Sequence, residues 1–406
     1  MSDNQHWIER ADKVIAATYG RYPVAPVRGE GCRLYDADGR EYLDFLAGVA
    51  VNNLGHCHPK VVAAIQEQAA TLIHCSNFYQ IPQQIELAER LTAHAFAGKV
   101  FFCNSGAEAN EAAIKLARKY SREHKGTDRF EILTATASFH GRTMATISAT
   151  GQEKVRVGYE PVLPGFVHLP FGDIEALRKA VTARTCAVML EPIQGEGGVI
   201  VPPEGYLQQV RELCDQHKLL LIFDEVQTGC GRTGYLFAWQ HDHVRPDIMT
   251  LAKGLGGGVP IGAMLAVDKV AASFGPGSHG STFGGNPLAT AAALAVMREL
   301  TEGRILDNCV AVGAYLRLRL EQLKKEFAWI REVRGRGLML GMELDIDGAP
   351  LVERALQRGL LINCTVGRVL RFVPPLTVNR EEVDRAMDIL QAVFREQAAT
   401  DNTKQP

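Results

Sequence analysis

The chain lacks any cysteine pattern that would staple a fold or build a zinc site. Its nine cysteines (Cys32, Cys57, Cys75, Cys103, Cys186, Cys214, Cys230, Cys309 and Cys364) are odd in number, scattered, and never spaced C-x-x-C. This argues against a disulfide framework and fits a reducing compartment. His56-Cys57-His58 invites a metal reading, but adjacent residues seldom converge on one ion and no distant partner pair accompanies them, so no metal is expected. Long apolar runs are also missing: none approaches the ~18 residues of a membrane span, and the first ten residues hold no apolar signal core. A cytoplasmic protein is expected. Charge of either sign is scarce in excess, since 44 Lys and Arg oppose 46 Asp and Glu for a net −2. Nothing therefore steers the chain to nucleic acid or an anionic membrane, and a small molecule is the expected partner. Internal repeats and low-complexity tracts are absent, and only the short polar tail 397–406 reads as frayed.

What is present is enough apolar residue, 46% of 406, to bury a large core divided into subdomains. Between about residues 100 and 270, apolar runs of strand length alternate with helical patterns, the signature of an α/β fold with a largely parallel sheet. Strands are expected over 99–103, 131–136, 186–190, 219–223, 248–252 and 261–267. After the first, Ser105 is a natural N-cap, and Ala109, Ala112, Ala113, Leu116, Ala117 and Tyr120 repeat at helical spacing. Beyond about residue 290 the pattern changes to a long helix (288–300), mixed elements and a last helix near 381–397. The expected division is an N-terminal segment (1–50) packed with a smaller α+β C-terminal domain (291–406), and a large domain (51–290) whose mainly parallel sheet is flanked by helices.

In open α/β sheets ligands bind outside the carboxyl ends of the strands, and the polar motifs of this chain follow its apolar runs. Lys253 ends one run and precedes Gly254, so it is placed to carry an amine into a cavity; Asp224 ends another. A lone lysine of this kind is ordinarily a surface residue, but an acid and a lysine each closing a buried strand suggest a pyridoxal phosphate (PLP) site. There the lysine bonds the cofactor aldehyde and the acid keeps the pyridine nitrogen protonated. Ser105, Gly106 and Ala107 open a helix after a strand, where free amides and the helix dipole suit a phosphate. Thr282 is a second phosphate candidate or an ordinary turn residue. Phe139 covers a flat ring or simply packs in the core, and Arg142 and Arg371 are carboxylate clamps or surface ion-pair partners.

The runs 102–111, 138–143, 191–198, 223–229, 252–258 and 280–287, in this order, resemble class III aminotransferases, most closely members acting on N2-acetyl-L-ornithine, and the likeness extends from Val27 to the last helix. The resemblance implies a fold-type-I PLP-dependent transferase that is a homodimer with active sites at the subunit interface. It implies that Lys253 is the cofactor lysine, that Asp224 meets the ring nitrogen, and that Gln227 contacts the ring hydroxyl. Gly106 and Ala107, with Ser105, hold the phosphate, Phe139 stacks on the ring, Val226 lies among the cofactor contacts, and Thr282 reaches the phosphate of the neighbouring subunit. Arg142 and Ser281 would bind the acylornithine end, Arg371 the α-carboxylate of glutamate, and Glu196 would pair with that arginine when an ω-amine is bound. Cys57 and Cys230 stand where apolar residues are commoner, and neither removes a catalytic group.

The reaction implied is a two-stage transfer of the amine of N2-acetyl-L-ornithine to 2-oxoglutarate, giving N-acetyl-L-glutamate 5-semialdehyde and L-glutamate, a step of arginine biosynthesis. Succinylornithine, 4-aminobutyrate and ornithine transamination, and glutamate-semialdehyde aminomutase activity, share the chemistry. A nucleotide-binding loop at residues 254–258 is disfavoured, because its lysine precedes the glycines where a Walker loop needs Gly-Lys-Ser/Thr after them.

Overall fold

The computed structural model of the chain describes residues 2–402. After a helix at Asp3–Val14, three short strands form an antiparallel meander: β1 (Pro26–Glu30), β2 (Arg33–Asp36) and β3 (Glu41–Asp44). Asp36 shapes the β2–β3 turn, its Oδ1 accepting from the amides of Asp38 and Arg40.

The large sheet contains β4 (Gly98–Cys103), β5 (Glu131–Ala135), β6 (Phe166–Leu169), β7 (Thr185–Leu190), β8 (Leu220–Asp224), β9 (Ile248–Leu251) and β10 (Gly262–Val267), in the order β4-β10-β9-β8-β7-β5-β6. The strands β5 to β9 run parallel, while β10 is antiparallel to both its neighbours. The sequence expectation of a mainly parallel sheet is met. Alternate residues explain why both faces are covered. Ala187, Met189, Leu220 and Ile222 face the helix Gly106–Lys125 through its Ala112, Ala113 and Leu116. Val188, Leu190, Leu221 and Phe223 face the opposite way, toward Leu207, Val210 and Leu213 of the helix Tyr206–His217. The edge strand β6 was not expected from the sequence; it is only four residues long, its apolar residues are interrupted by His168, and all four are only half-buried.

The helix Pro287–Glu302 leads out of the large sheet and is followed by a helix at Ile305–Glu326 and the strands β11 (Ile330–Arg336) and β12 (Met339–Leu344). After the helix Ala349–Gln357 come β13 (Leu360–Leu361), β14 (Asn363–Thr365) and β15 (Val369–Phe372). The order β11-β12-β15-β14 makes a separate antiparallel sheet. The remaining strand, β13, pairs parallel with β3, so the opening meander is completed by a strand from the other end of the chain. The tail is a correction: the last helix spans Arg380–Asn402, so residues 397–402 are helical, while 403–406 lie outside the described residues. Packing explains it. Val383, Met387, Leu390 and Phe394 are buried, and Phe394 lies edge-on to Phe327 and Trp329, so a well-anchored helix propagates into polar sequence. Among the described residues no helix is long and apolar enough to cross a membrane.

Candidate active site

The carboxyl ends of β4, β5, β7, β8 and β9 meet at one rim, around a cavity of about 460 Å³. Ser105, Gly106, Ala107, Phe139, Arg142, Glu196, Asp224, Val226, Gln227 and Lys253 all line it. Residues spread over 149 positions of sequence are gathered because each follows a strand on the same side of the sheet.

Lys253 follows β9 with φ at 39°, the left-handed region that a side chain disfavours by about 1–2 kcal/mol. Gly254 follows because a β-carbon there would overlap the amide of Asn53. The Lys253 amine makes no hydrogen bond among the described residues. Burial lowers its pKa below the ordinary lysine value; Glu196 opposes that shift and Arg371 adds to it.

Asp224 is the acceptor of a buried network. Its Oδ2 accepts from His140 Nδ1 at 2.7 Å and Asn110 Nδ2 at 2.8 Å, and its Oδ1 from the Val226 amide at 3.0 Å. Asn110 is fixed in turn, its Oδ1 accepting from Thr250 Oγ1 at 2.7 Å. Burial works against charge on His140, but the hydrogen bond and charge of Asp224 outweigh it and hold the imidazole pKa above its ordinary value.

Ser105 caps the 20-residue helix Gly106–Lys125, its Oγ accepting from the Glu108 amide at 3.2 Å, and the Glu108 carboxylate reaches back to the Asn104 amide at 2.6 Å. The amides of Gly106 and Ala107 are left without an acceptor among the described residues, on the cavity wall at the positive end of the helix. Gly106 allows close approach: a β-carbon there would lie 2.6 Å from Val226 Cγ1. An anion fits this position.

Arg371, on β15, is not itself on the cavity wall but lies behind two residues that are: its Nη1 donates to Glu196 Oε1 at 2.5 Å and to Gln227 Oε1 at 3.2 Å, while its Nε donates to Asn363 Oδ1 at 3.2 Å. Arg371 is 1% exposed, so its charge needs this pairing. Burial raises the cost of the Glu196 carboxylate, but Arg371 and Lys253 outweigh it and hold its pKa below the usual carboxylate value. Arg142 stands exposed at the mouth, its guanidinium 5.6 Å from the centre of the Phe139 ring.

Ser281 and Thr282 line a neighbouring depression instead, with Phe78 and Phe101. Ser281 Oγ is tied to the main cavity through Asn104 Nδ2 at 3.2 Å, whereas Thr282 is exposed. His56 and His58 do not converge: His56 bonds Asp44 at 2.7 Å and His58 faces Glu299. Sequence reasoning gave no role to Asn110, Glu191, Thr250 or Asn363. The signal for Asn110 was available, since it is a polar residue within the buried arc of an otherwise apolar helix face.

A mainly parallel sheet with a lysine, an acid and free helix-terminal amides on one rim has the layout of an α/β transferase scaffold. The chain belongs to the class III aminotransferases, whose family profile (Aminotransferase class-III) matches residues 14–394. That family is PLP-dependent. Acetylornithine aminotransferase of Caldanaerobacter subterraneus subsp. tengcongensis is 55% identical over 95% of this chain and 98% of its own length. A solved N-acetylornithine aminotransferase from Stenotrophomonas maltophilia superposes with a TM-score of 0.83 at 42% identity, covering 97% of this chain and 100% of that one. Ornithine aminotransferase of Toxoplasma gondii, whose crystals show partial occupancy of PLP at the active site, gives a TM-score of 0.94 at 37% identity, covering 99% and 96%.

Proposed function

We propose that this chain transfers the terminal amine of N2-acetyl-L-ornithine to 2-oxoglutarate, yielding N-acetyl-L-glutamate 5-semialdehyde and L-glutamate, with PLP as cofactor. The observation that carries the reading is the Glu196–Arg371 pair, whose acid shares the cavity wall with Lys253, in a chain 55% identical to an acetylornithine aminotransferase.

The residues present fit PLP. The unpaired amides of Gly106 and Ala107, with Ser105, suit its phosphate, the unbonded Lys253 amine its aldehyde, and Asp224 its ring nitrogen. Gln227 is assigned to the ring hydroxyl, and Phe139 and Val226 to the ring faces. When bound, PLP supplies an aldehyde that takes the substrate amine and a ring that draws electrons from the adjoining carbon. Lys253 Nζ, freed when the substrate amine takes its place at the aldehyde and kept below its ordinary pKa, would take the proton from that carbon and deliver it to the aldehyde carbon of the cofactor, so that the amine stays behind. Asp224, anchored by His140 and Asn110, presents a fixed negative charge.

Substrate selection is a problem of two shapes, because the donor has no carboxylate on its reacting carbon and glutamate has one. Glu196 on Arg371 neutralises the arginine for the first, and release of Glu196 frees it for the second. Arg142 at the mouth is assigned to the donor's α-carboxylate end, together with Ser281. Thr282, exposed and outside the main cavity, is assigned to the phosphate of a second subunit. We take the protein to be a cytoplasmic homodimer, with a large PLP-binding domain (51–290), a small domain (291–406) and an N-terminal segment (1–50) packed with the latter.

The likeness to ornithine aminotransferase supplies the one competing donor that an observation favours. Comparison of kcat/KM for acetylornithine, succinylornithine, ornithine and 4-aminobutyrate tests the assignment. Acetylornithine is expected to lead ornithine by about tenfold or more. A higher value for ornithine or 4-aminobutyrate overturns it.

A further inference from the structure

One buried carboxylate on the cavity wall has no part in the chemistry above. Glu191 follows β7, is 6% exposed, and makes two hydrogen bonds, one through each oxygen. Its Oε2 accepts from the amide of Phe139 at 3.0 Å, and its Oε1 accepts from the amide of Gly195 at 3.1 Å. The first bond reaches the loop after β5. The second closes its own loop immediately before Glu196.

Gly195 is held where no other residue fits, since a β-carbon would overlap the side-chain amide of Gln227. Gln227 in turn bonds both members of the ion pair, donating to Glu196 at 3.3 Å and accepting from Arg371 at 3.2 Å. A path of direct contacts therefore runs from Glu191 through Gly195 and Gln227 to the Glu196–Arg371 pair. On the far side of this loop, Ile193 and Val199 pack with Val373, two residues beyond Arg371. That apolar contact fixes the base of the loop, and the Glu191 bond fixes its tip.

We propose that Glu191 is a positioning residue for substrate selection: by clamping the Gly195 amide it holds Glu196 closed on Arg371, and so favours the amine donor that lacks a carboxylate at its reacting carbon. This rests on the reading of Glu196 and Arg371 given above. Geometry sets what a substitution tests. Both oxygens of a carboxylate accept hydrogen bonds, whereas the amide of a glutamine accepts with one and donates with the other. Glu191→Gln thus keeps the shape and loses one of the two bonds. Burial, opposed by His140 and reinforced by Asp224, pushes the Glu191 carboxyl up to about 7, so near neutral pH the substitution removes only part of a full charge, and the comparison of the two half-reactions is made at one pH.

The test measures the two half-reactions separately in holoenzyme, with acetylornithine and with glutamate. Glu191→Gln is expected to lower kcat/KM for acetylornithine by about tenfold while changing that for glutamate less than about threefold. If the amide variant is insoluble, Glu191→Asp, too short to span both amides, is expected to shift the ratio in the same direction. In a Glu196→Ala background the Glu191 substitution should add little further change in the ratio, because the group it positions is gone. Hydrogen exchange of the peptide containing Gly195 should quicken in the single variant. Equal losses in both half-reactions, a fully additive double variant, or unchanged exchange at Gly195 overturns the proposal. A wild type that uses another ω-amine in place of acetylornithine retires the donor assignment alone, and the same comparison is then made with that amine.

Discussion

Arg371 is a strand residue of the C-terminal antiparallel sheet, and Glu196 is a loop residue of the large sheet, yet they meet at 2.5 Å over the cavity that holds Lys253. The arginine has further anchors in Asn363, on the neighbouring strand β14, and in Gln227, which do not depend on the acid. The pair is asymmetric: Arg371 is buried and has further anchors, whereas the Glu196 side chain is 29% exposed.

Removing Glu196 leaves that cation permanently available. Glu196→Ala is expected to preserve or improve the glutamate half-reaction and to impair the acetylornithine one, because an uncompensated buried guanidinium costs on the order of a few kcal/mol beside an apolar part of the donor. Stopped-flow measurement of each half-reaction decides. An equal loss in both would make Glu196 a structural support.

Lys253→Ala should bind cofactor and fail to turn over, with a rate loss of several orders of magnitude, since among the described residues no other lysine lines the cavity. Borohydride reduction of the wild-type holoenzyme followed by peptide mapping should recover the label on Lys253. A label on any other lysine would refute the assignment.

Asp224→Asn keeps the side chain's shape and, with its one oxygen turned to Asn110 and His140, gives up only the Val226 amide bond, so the fold should hold, but the fixed negative charge assigned to the ring nitrogen is lost. A fall of at least about a hundredfold in single-turnover rate is expected. Wild-type rates in the variant would remove Asp224 from the mechanism.

Glu225 offers a prediction about stability. It is buried beneath the rim, accepting from the amides of Ala238 and Trp239 and from Thr228, and burial pushes its pKa from 4.5 up to about 7. The folded chain keeps a proton that the unfolded chain releases above about 4.5, so stability falls as pH rises from there to about 7 and then levels. The loss amounts to on the order of 3 kcal/mol for this group. Glu225→Gln cannot titrate, so its stability curve from denaturant melts at about pH 5 and about pH 8 should be flatter than that of the wild type. Parallel curves would show that the carboxyl titrates normally.

The rim was legible in the sequence because a buried parallel strand is a continuous apolar run, and whatever polar motif ends it must emerge on the same side. Lys253 and Asp224 could be placed together on that ground alone. Strand β6 was not legible, since its apolar residues are too few and are broken by His168, giving neither a continuous run nor clean alternation. Nor were the roles of His140 and Glu191, which depend on partners 84 and 52 residues away that only the folded chain brings within 3 Å. Asn363 was missed for a similar reason: its side chain matters through a neighbouring strand. The helical tail escaped composition because aromatic contacts upstream, at Phe327 and Trp329, carry the helix into residues that would not form one unaided.

The pairing of β3 with β13 joins Leu43 to Leu360 and Asp44 to Leu361. During synthesis the opening meander leaves the ribosome with an unpaired edge that has no partner until roughly 300 more residues have been made. The large sheet, whose strands are all encoded between these points, can close first. The edge of β3 is then a place where a chaperone, or a second nascent chain, competes with the strand still to come.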